Sequence, residues 1–309
     1  MRIAILGATS QIAKDMILAL ATDPANELIM FARRVDAVVH WQRAVGLKST
    51  HKAYEFSEFN AHQIFDAIIN FVGSGNPALT ASMGASIFEV THNFDQLALD
   101  YVNRCPDCRY IFMSSGAAYC SSFEYPVDEN TKATIPINDI QPTDWYGVAK
   151  LYAECRHRAM QDRVIFDIRI FNYFSHTSDL SSRFLIADIL RAIQKKIVLK
   201  TSFDNIWRDF IGPDELYALI KLMLHSPPTN DVVDCFSKLP LDKLSLLECM
   251  QQNFGLRYEL QSAPSGVNAT GFKKNYFSLN RKAAIYGYKP ERSALEIILH
   301  QVSHLEALQ

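Results

Sequence analysis

The chain of 309 residues lacks any uninterrupted apolar run of about 18 residues, so no ordinary membrane-spanning helix is expected. It lacks a charge excess. Its 31 Lys and Arg stand against 33 Asp and Glu, without a basic stripe, which excludes a general nucleic-acid binder. It lacks a cysteine pattern. The six cysteines, at 105, 108, 120, 155, 235 and 249, are too scattered for a disulfide framework. Cys105-Pro106-Asp107-Cys108 has no second cysteine pair or histidine pattern to complete a zinc set, so no metal is expected. The pair also follows a helical stretch instead of opening one, which argues against a redox motif. The opening MRIAILGATS lacks the apolar stretch and cleavage signal of a secretory leader. It reads as a buried strand, and a soluble cytoplasmic protein is the simplest expectation.

Apolar residues are plentiful, at 49% against 21% charged, which suits a large core and excludes a disordered chain. Strand and helix patterns alternate through the first half. Strands are expected at Arg2–Leu6, Leu28–Phe31, Lys52–Phe56, Ala67–Phe71, Arg109–Met113 and Val164–Ile170. Helices are expected near Gln11–Leu20, Val35–Val45, Ala85–Tyr101 and Trp145–Met160. This rhythm predicts an α/β fold: a Rossmann-type doubly wound parallel sheet with a smaller C-terminal substrate lobe. Residues 1–172 are expected to form the dinucleotide-binding domain and 173–309 mainly the substrate lobe, with later segments able to return to the first. In the second half, helices are expected at Phe184–Ile193, Pro213–Leu224, Leu241–Phe254 and Glu291–Leu305, and strands at Asp231–Phe236 and Arg257–Leu260.

Gly7-Ala8-Thr9-Ser10-Gln11-Ile12-Ala13 joins the first strand to the first helix. Small residues at 7, 10 and 13 permit a tight turn, close backbone approach and close helix packing, and a helix N-terminus receives a pyrophosphate well. Gly7, Thr9, Ser10, Gln11 and Ile12 are therefore cofactor-binding candidates. The second strand ends in Phe31-Ala32-Arg33-Arg34, where an acidic residue would hold the ribose of NAD. Two arginines match a 2′-phosphate better, so NADP(H) is the favoured cofactor, with NAD(H) the other choice. The plain alternative is a solvated basic turn.

Tyr146 and Lys150 lie four apart, on one face of a helix. Such a lysine supports the phenolate of its tyrosine, and the phenol exchanges a proton with a substrate carbonyl or alcohol. Ser115, at the end of the preceding strand, faces the ligand crevice of a parallel sheet and is a candidate to meet the same substrate oxygen. A capping role is its alternative.

These residues, in this order, resemble the extended short-chain dehydrogenase/reductase family of nucleotide-sugar epimerases, dehydratases and reductases. Matching the family pattern are the loop at Gly7, Ser10 and Ala13, Ser115 four residues before Tyr119, and the Tyr146–Lys150 pair. So do Arg169-Ile170-Phe171-Asn172, Arg208-Asp209-Phe210-Ile211 and Tyr286-Gly287-Tyr288-Lys289-Pro290. The resemblance implies Ser115, Tyr146 and Lys150 as catalytic residues and a nucleotide-sugar substrate. It also implies a homodimer joined through the helices Ala85–Tyr101 and Trp145–Met160. Departures include Ser57–Glu58 in place of an aspartate, Thr91-His92-Asn93, Val72-Gly73-Ser74-Gly75, Cys120 for a glycine and Gly212 for a histidine. Gly116 and Ala117 stand where the family's dehydratases carry an acidic pair, which argues against dehydration. The expected activity is NADPH-dependent reduction of a 4-keto nucleotide sugar with Tyr146 as proton donor. The alternatives are a nucleotide-sugar 4-epimerase, a cofactor-sensing regulator of the same fold, or a reductase of a small non-nucleotide ketone. Arg208 is a candidate for the substrate diphosphate, against a salt bridge to Asp209 or Asp214. Asn172 is a candidate for the substrate phosphate, against holding its own loop. Arg183 and Lys195 are weaker basic candidates.

Overall fold

Seven strands lie side by side in the order β11-β6-β5-β4-β1-β2-β3, every neighbouring pair parallel. They are β1 (Arg2–Leu6), β2 (Glu27–Phe31), β3 (Lys52–Tyr54), β4 (Ala67–Asn70), β5 (Arg109–Ser115), β6 (Ile165–Ile170) and β11 (Asn230–Cys235). The order reverses direction between β1 and β4, and such a switch point opens a crevice at the strands' C-terminal ends. The computed structural model describes residues 1–59, 63–73, 82–182, 184–262 and 273–305. Ser74, Gly75, Arg183 and most of the polar loop before Asn275 lie outside the described residues.

Both faces of the sheet are covered, as continuous apolar strands require. One face buries Ile3, Ile5, Met30 and Ile69 under α1 (Gln11–Leu20) and the later helix α6 (Pro213–His225). Ala13, Met16, Ile17 and Leu20 of α1 recur at helical spacing and are all buried. The helix starts where it does because Ser10 Oγ accepts the Ala13 N–H at 3.1 Å. The other face buries Ala4, Phe31, Ile68 and Tyr110 under α3 (Ser86–Arg104), with Ala153 of α4 (Trp145–Arg158) joining the same cluster. Each fully buried aliphatic side chain contributes about 1.5–3 kcal/mol of transfer free energy. Helix α2 (Val35–Ala44) links β2 to β3.

A third core holds the smaller C-terminal region together. Ile189 and Leu190 of α5 (Leu185–Gln194), Leu247 and Met250 of α7 (Lys243–Phe254) and Ile298 and Val302 of α8 (Ala294–Ser303) are buried against one another. Helix α8 begins three residues later than Glu291, because Ser293 and Glu296 form a capping box there. Short strands complete this region. β7 (Asn172–Tyr173) pairs with β10 (Phe210–Ile211), and β9 (Trp207–Arg208) lies between β12 (Leu241–Asp242) and β14 (Asn275–Tyr276). β8 (Val198–Ser202) pairs with β13 (Arg257–Gln261). Among the described residues no helix is long and apolar enough to cross a membrane.

Candidate active site

The first strand–helix turn is shaped for a phosphate. Gly7 adopts φ +83°, and a Cβ there would lie 3.0 Å from the Val72 nitrogen, so glycine is required both by conformation and by close approach to the segment that follows β4. The N–H groups of Gly7 and Ala8 are already used by the Phe31 carbonyl, at 2.9 and 3.1 Å. Among the described residues those of Thr9, Gln11 and Ile12 have no backbone acceptor. Free donors at a helix N-terminus suit the diphosphate of a dinucleotide. The side chain of Gln11 turns away from this role, with Nε2 donating to Thr177 Oγ1 at 2.5 Å. Thr177 and Tyr173 in turn donate to the buried Asp15 of α1, at 2.7 and 2.6 Å. The loop after β7 thereby clasps the helix that presents the turn.

Arg33 and Arg34 follow β2 but remain solvent-exposed, and among the described residues neither forms an ion pair. The strand end is the solvated basic turn, and among the described residues no acidic group holds either guanidinium in place.

Ser115 and Tyr146 meet beyond the end of β5. Ser115 is buried, and its Oγ accepts the Ala117 N–H at 3.2 Å, capping a 3₁₀ turn at Gly116–Tyr119. The capping alternative is present, and it uses one lone pair of the hydroxyl. Two glycines make this corner possible. A Cβ on Gly147 would stand 2.7 Å from the Ala117 carbonyl oxygen, so the residue after Tyr146 must be glycine for α4 to dock on the turn. A Cβ on Gly116 would stand 2.4 Å from the Phe171 ring. Burial pushes the Tyr146 phenol up, and a hydrogen bond from the Ser115 hydroxyl draws it back. Lys150 Nζ is buried, donates to the Met113 carbonyl at 2.8 Å and lies 6.0 Å from the Tyr146 ring centroid. Burial lowers it to about 8, against the pull of Asp95, Glu154 and Asp167. Below that pH it stays an ammonium able to support a phenolate.

A cavity of about 250 Å³ opens beside Tyr146, lined by Tyr146, Gly147, Ala117, Cys120, Phe123 and Lys273. Cys120 takes the left-handed conformation at φ 44°, which explains why the family pattern has glycine there. Burial pushes its thiol up to about 11. A second cavity, of about 390 Å³, lies behind Tyr119 and Arg169, away from Ser115, Tyr146 and Lys150.

Sequence reasoning missed two residues of this site. Tyr276 of β14 brings its hydroxyl to 3.2 Å from Ser115 Oγ. Lys273 places its Nζ 4.7 Å from the Tyr276 ring centroid and, among the described residues, has no acidic partner. Burial and the nearby Arg208 lower Lys273 to about 8. Arg208 reaches the same place, its guanidinium 6.0 Å from the Tyr276 ring. It donates to the Trp207 carbonyl at 2.7 Å and to no carboxylate among the described residues. The candidate salt bridges are absent: Asp214 pairs with Arg292 at 2.7 Å, and Asp209 accepts the Ser237 N–H at 3.0 Å. Burial accordingly lowers Arg208 to about 10. Asn172 donates its amide to the Asp209 carbonyl at 2.9 Å, so that group holds the β7–β10 connection. Lys195 caps the end of α5, outside both cavities.

Behind the site, Arg169 grips Glu154 through Nε and Nη2, the shorter contact being 2.5 Å, and Glu154 accepts from Ser114 at 2.5 Å. Below it, the fully buried His157 sits between Asp167, at 2.6 Å, and Asp95, at 2.7 Å.

A family described as the NAD dependent epimerase/dehydratase family matches residues 3–235. A search of curated proteins found no match. Among solved structures, the chain is similar to a UDP-glucuronic acid 4-epimerase from Bacillus cereus, solved with UDP-glucuronic acid and NAD. That likeness has a TM-score of 0.79 and 15% identity and covers 100% of both chains. A dTDP-glucose 4,6-dehydratase from Bacillus anthracis, solved with NAD, gives a TM-score of 0.78 at 12% identity, covering 98% of this chain and 96% of that one. A UDP-glucose 4-epimerase from Thermotoga maritima, solved with UDP-glucose, gives 0.77 at 14% identity, covering 98% and 99%. These findings overturn the expected NADPH-dependent reductase and its NADP(H) cofactor. The family description and the cofactor-bound relatives name NAD, and the relatives are epimerases and a dehydratase. The physical reason is at hand in Arg33 and Arg34, which are exposed charges that no ion pair holds in place among the described residues.

Proposed function

Because the chain belongs to the NAD dependent epimerase/dehydratase family, we propose that it is a cytoplasmic, homodimeric NAD-dependent epimerase acting at C4 of a nucleoside-diphosphate sugar. Residues 1–172 would chiefly hold the cofactor and 173–309 the sugar nucleotide. The turn Gly7–Ile12, with its free N–H groups, suits the cofactor diphosphate, and Tyr146 and Lys150 would border its ribose. NAD, when bound, supplies a reversible hydride acceptor.

The chain's own residues would handle the proton. Tyr146, as phenolate, takes the proton of the substrate hydroxyl and later returns it to the 4-keto oxygen. Ser115 donates a hydrogen bond to that oxygen. Lys150 supports the phenolate while its ammonium persists. Hydride supplied back to the opposite face of a rotated ketosugar would invert the centre.

The observation that carries a nucleotide-sugar substrate is Arg208, a guanidinium beside Tyr276 with no carboxylate partner among the described residues. A cation so placed gains most from an anionic ligand, and a diphosphate accepts its fork in two bonds. Dehydration is disfavoured at Gly116, where the Phe171 ring fills the space an acidic side chain would need.

The test is conversion of UDP-glucose, UDP-glucuronate and dTDP-glucose by the NAD-loaded protein, with products resolved by NMR. The C4 epimer is expected, without net accumulation of reduced cofactor. A 4-keto-6-deoxy product would make the enzyme a dehydratase. Conversion of none of the three would overturn the reading.

A further inference from the structure

Ser115 has one proton and two lone pairs to distribute. The Ala117 N–H occupies one lone pair, at 3.2 Å. The Tyr276 hydroxyl lies 3.2 Å away on another side. If Ser115 gave its proton to Tyr276, it would have none for a substrate oxygen. If Tyr276 gives its proton to Ser115, both lone pairs are filled and the serine proton is left for the side of Tyr146. We infer that Tyr276 is a positioning residue, donating to Ser115 so that the serine hydroxyl is fixed as a donor toward the substrate oxygen shared with Tyr146. This inference rests on the proposed hydride-transfer site.

Three features of the fold favour that assignment. The Tyr276 ring is held among aromatic neighbours, 4.8 Å from Phe123 and 5.1 Å from Phe171 by ring centroids, so its hydroxyl has little freedom to leave. Its strand is pinned on both sides: β14 pairs with β9, and the Val127–Ser278 bridge ties down the segment that follows. The two phenols at Ser115 are also set apart in character. Burial, with the neighbouring Tyr146, drives Tyr276 well above the ordinary phenol range although Ser115 and the Ala117 N–H draw it back, so it remains a donor; Tyr146, which Ser115 also draws back, is raised less. Groups pushed apart in this way take separate roles. Tyr276 would stay protonated throughout, and Tyr146 would titrate.

The other charged and titratable groups around the pair are Lys150 from α4, Arg208 from β9, and Lys273 and Cys120 from the flanking loops. The variant Tyr276→Phe leaves all of them, and the ring packing, in place. The experiment is a double-mutant cycle in the NAD-loaded protein with Tyr276→Phe, Ser115→Ala and both together. Tyr276→Phe is expected to lower kcat by about 3- to 10-fold, the worth of one hydrogen bond, with KM for the sugar nucleotide unchanged. In the Ser115→Ala background it should add nothing. An unchanged kcat, or a loss that adds in full to that of Ser115→Ala, overturns the inference.

Should the wild-type protein convert no nucleotide sugar, the functional reading fails, and a substrate-free measurement still decides Tyr276. The ionisation of Tyr146 is read by ultraviolet difference spectroscopy against Tyr146→Phe. Losing the donor behind Ser115 should raise the proton affinity of the Tyr146 phenolate by about 3- to 10-fold, and only when Ser115 is present. Identical titrations with and without the Tyr276 hydroxyl would reject the role.

Discussion

Tyr146 stands half-buried beside a hydroxyl and a buried ammonium, and its one polar atom is the part the proposed chemistry needs. Tyr146→Phe keeps the ring and removes that atom. We expect turnover to fall by about 10²–10⁴-fold, with NAD affinity nearly unchanged by fluorescence titration. Wild-type turnover in the variant would remove the acid–base role. Arg208 calls for a different readout. As a cation without a carboxylate, it should cost little stability when neutralised and much ligand affinity. Arg208→Gln is expected to weaken binding of UDP by about 1.5–3 kcal/mol, the worth of a hydrogen bond to a charged group, while the melting temperature holds. Unchanged UDP binding by calorimetry would return Arg208 to a purely structural role.

Among the elements, α4 does two things at once. Its first two turns present Tyr146 and Lys150, and its last turn carries His157 into a fully buried position between Asp95 of α3 and Asp167 of β6. Burial opposes protonation there, but the two carboxylates prevail and raise His157 from 6.5 to about 9. The sign follows. The contribution, on the order of 3 kcal/mol, is whole below about pH 6.5 and is lost as pH rises through about 9. Melting temperature should therefore drop across that window in the wild type. His157→Asn should flatten the slope and lower stability at pH 6. A slope unchanged by the substitution would mean that other groups set it. Lys150, depressed to about 8, acts in the opposite sense above that pH, so comparison with the variant isolates the histidine.

The long elements were legible in the sequence because burial on two faces leaves continuous apolar strands, and burial on one leaves helical spacing. Strand edges moved by a residue or two. The helix expected over Ala85–Tyr101 runs from Ser86 to Arg104, and the expected strand Lys52–Phe56 ends at Tyr54 in a 3₁₀ turn. The two-residue strands β7, β9, β10, β12 and β14 left no period to read. Ser115, Tyr146 and Lys150 were legible because two short motifs fix them. Tyr276 was not, because its partner lies 161 residues away and only the fold joins them. Arg33 and Arg34 misled: charge at a strand end is visible in a sequence, whereas a pocket to hold a phosphate is not.

At the scale of the molecule, α3 and α4 lie against each other and leave aromatic side chains outside. Phe88 is 36% exposed and Tyr152 is 49% exposed, beside Trp145 and His92. This is the face expected to bury a second copy. Light scattering should show a dimer, and Tyr152→Glu should shift it toward monomer by placing a charge in an apolar contact. A monomeric wild type would reject the dimer.

The sheet also closes late in the chain. β11 and α6 come after the first segment of the C-terminal region, yet α6 lays Leu216, Leu219, Ile220 and Met223 in the same core as α1, and β11 covers the outer edge of β6. A nascent chain emerging from the ribosome would thus carry the phosphate turn long before the helix that packs behind it. Until residue 225 α1 lacks its neighbour, and until residue 235 β6 offers an unpaired edge, a template for association with other chains. Cutting after Asn172 should accordingly yield an insoluble fragment and not a free-standing cofactor domain. In this protein, the unit that binds first in sequence is completed nearly last in time.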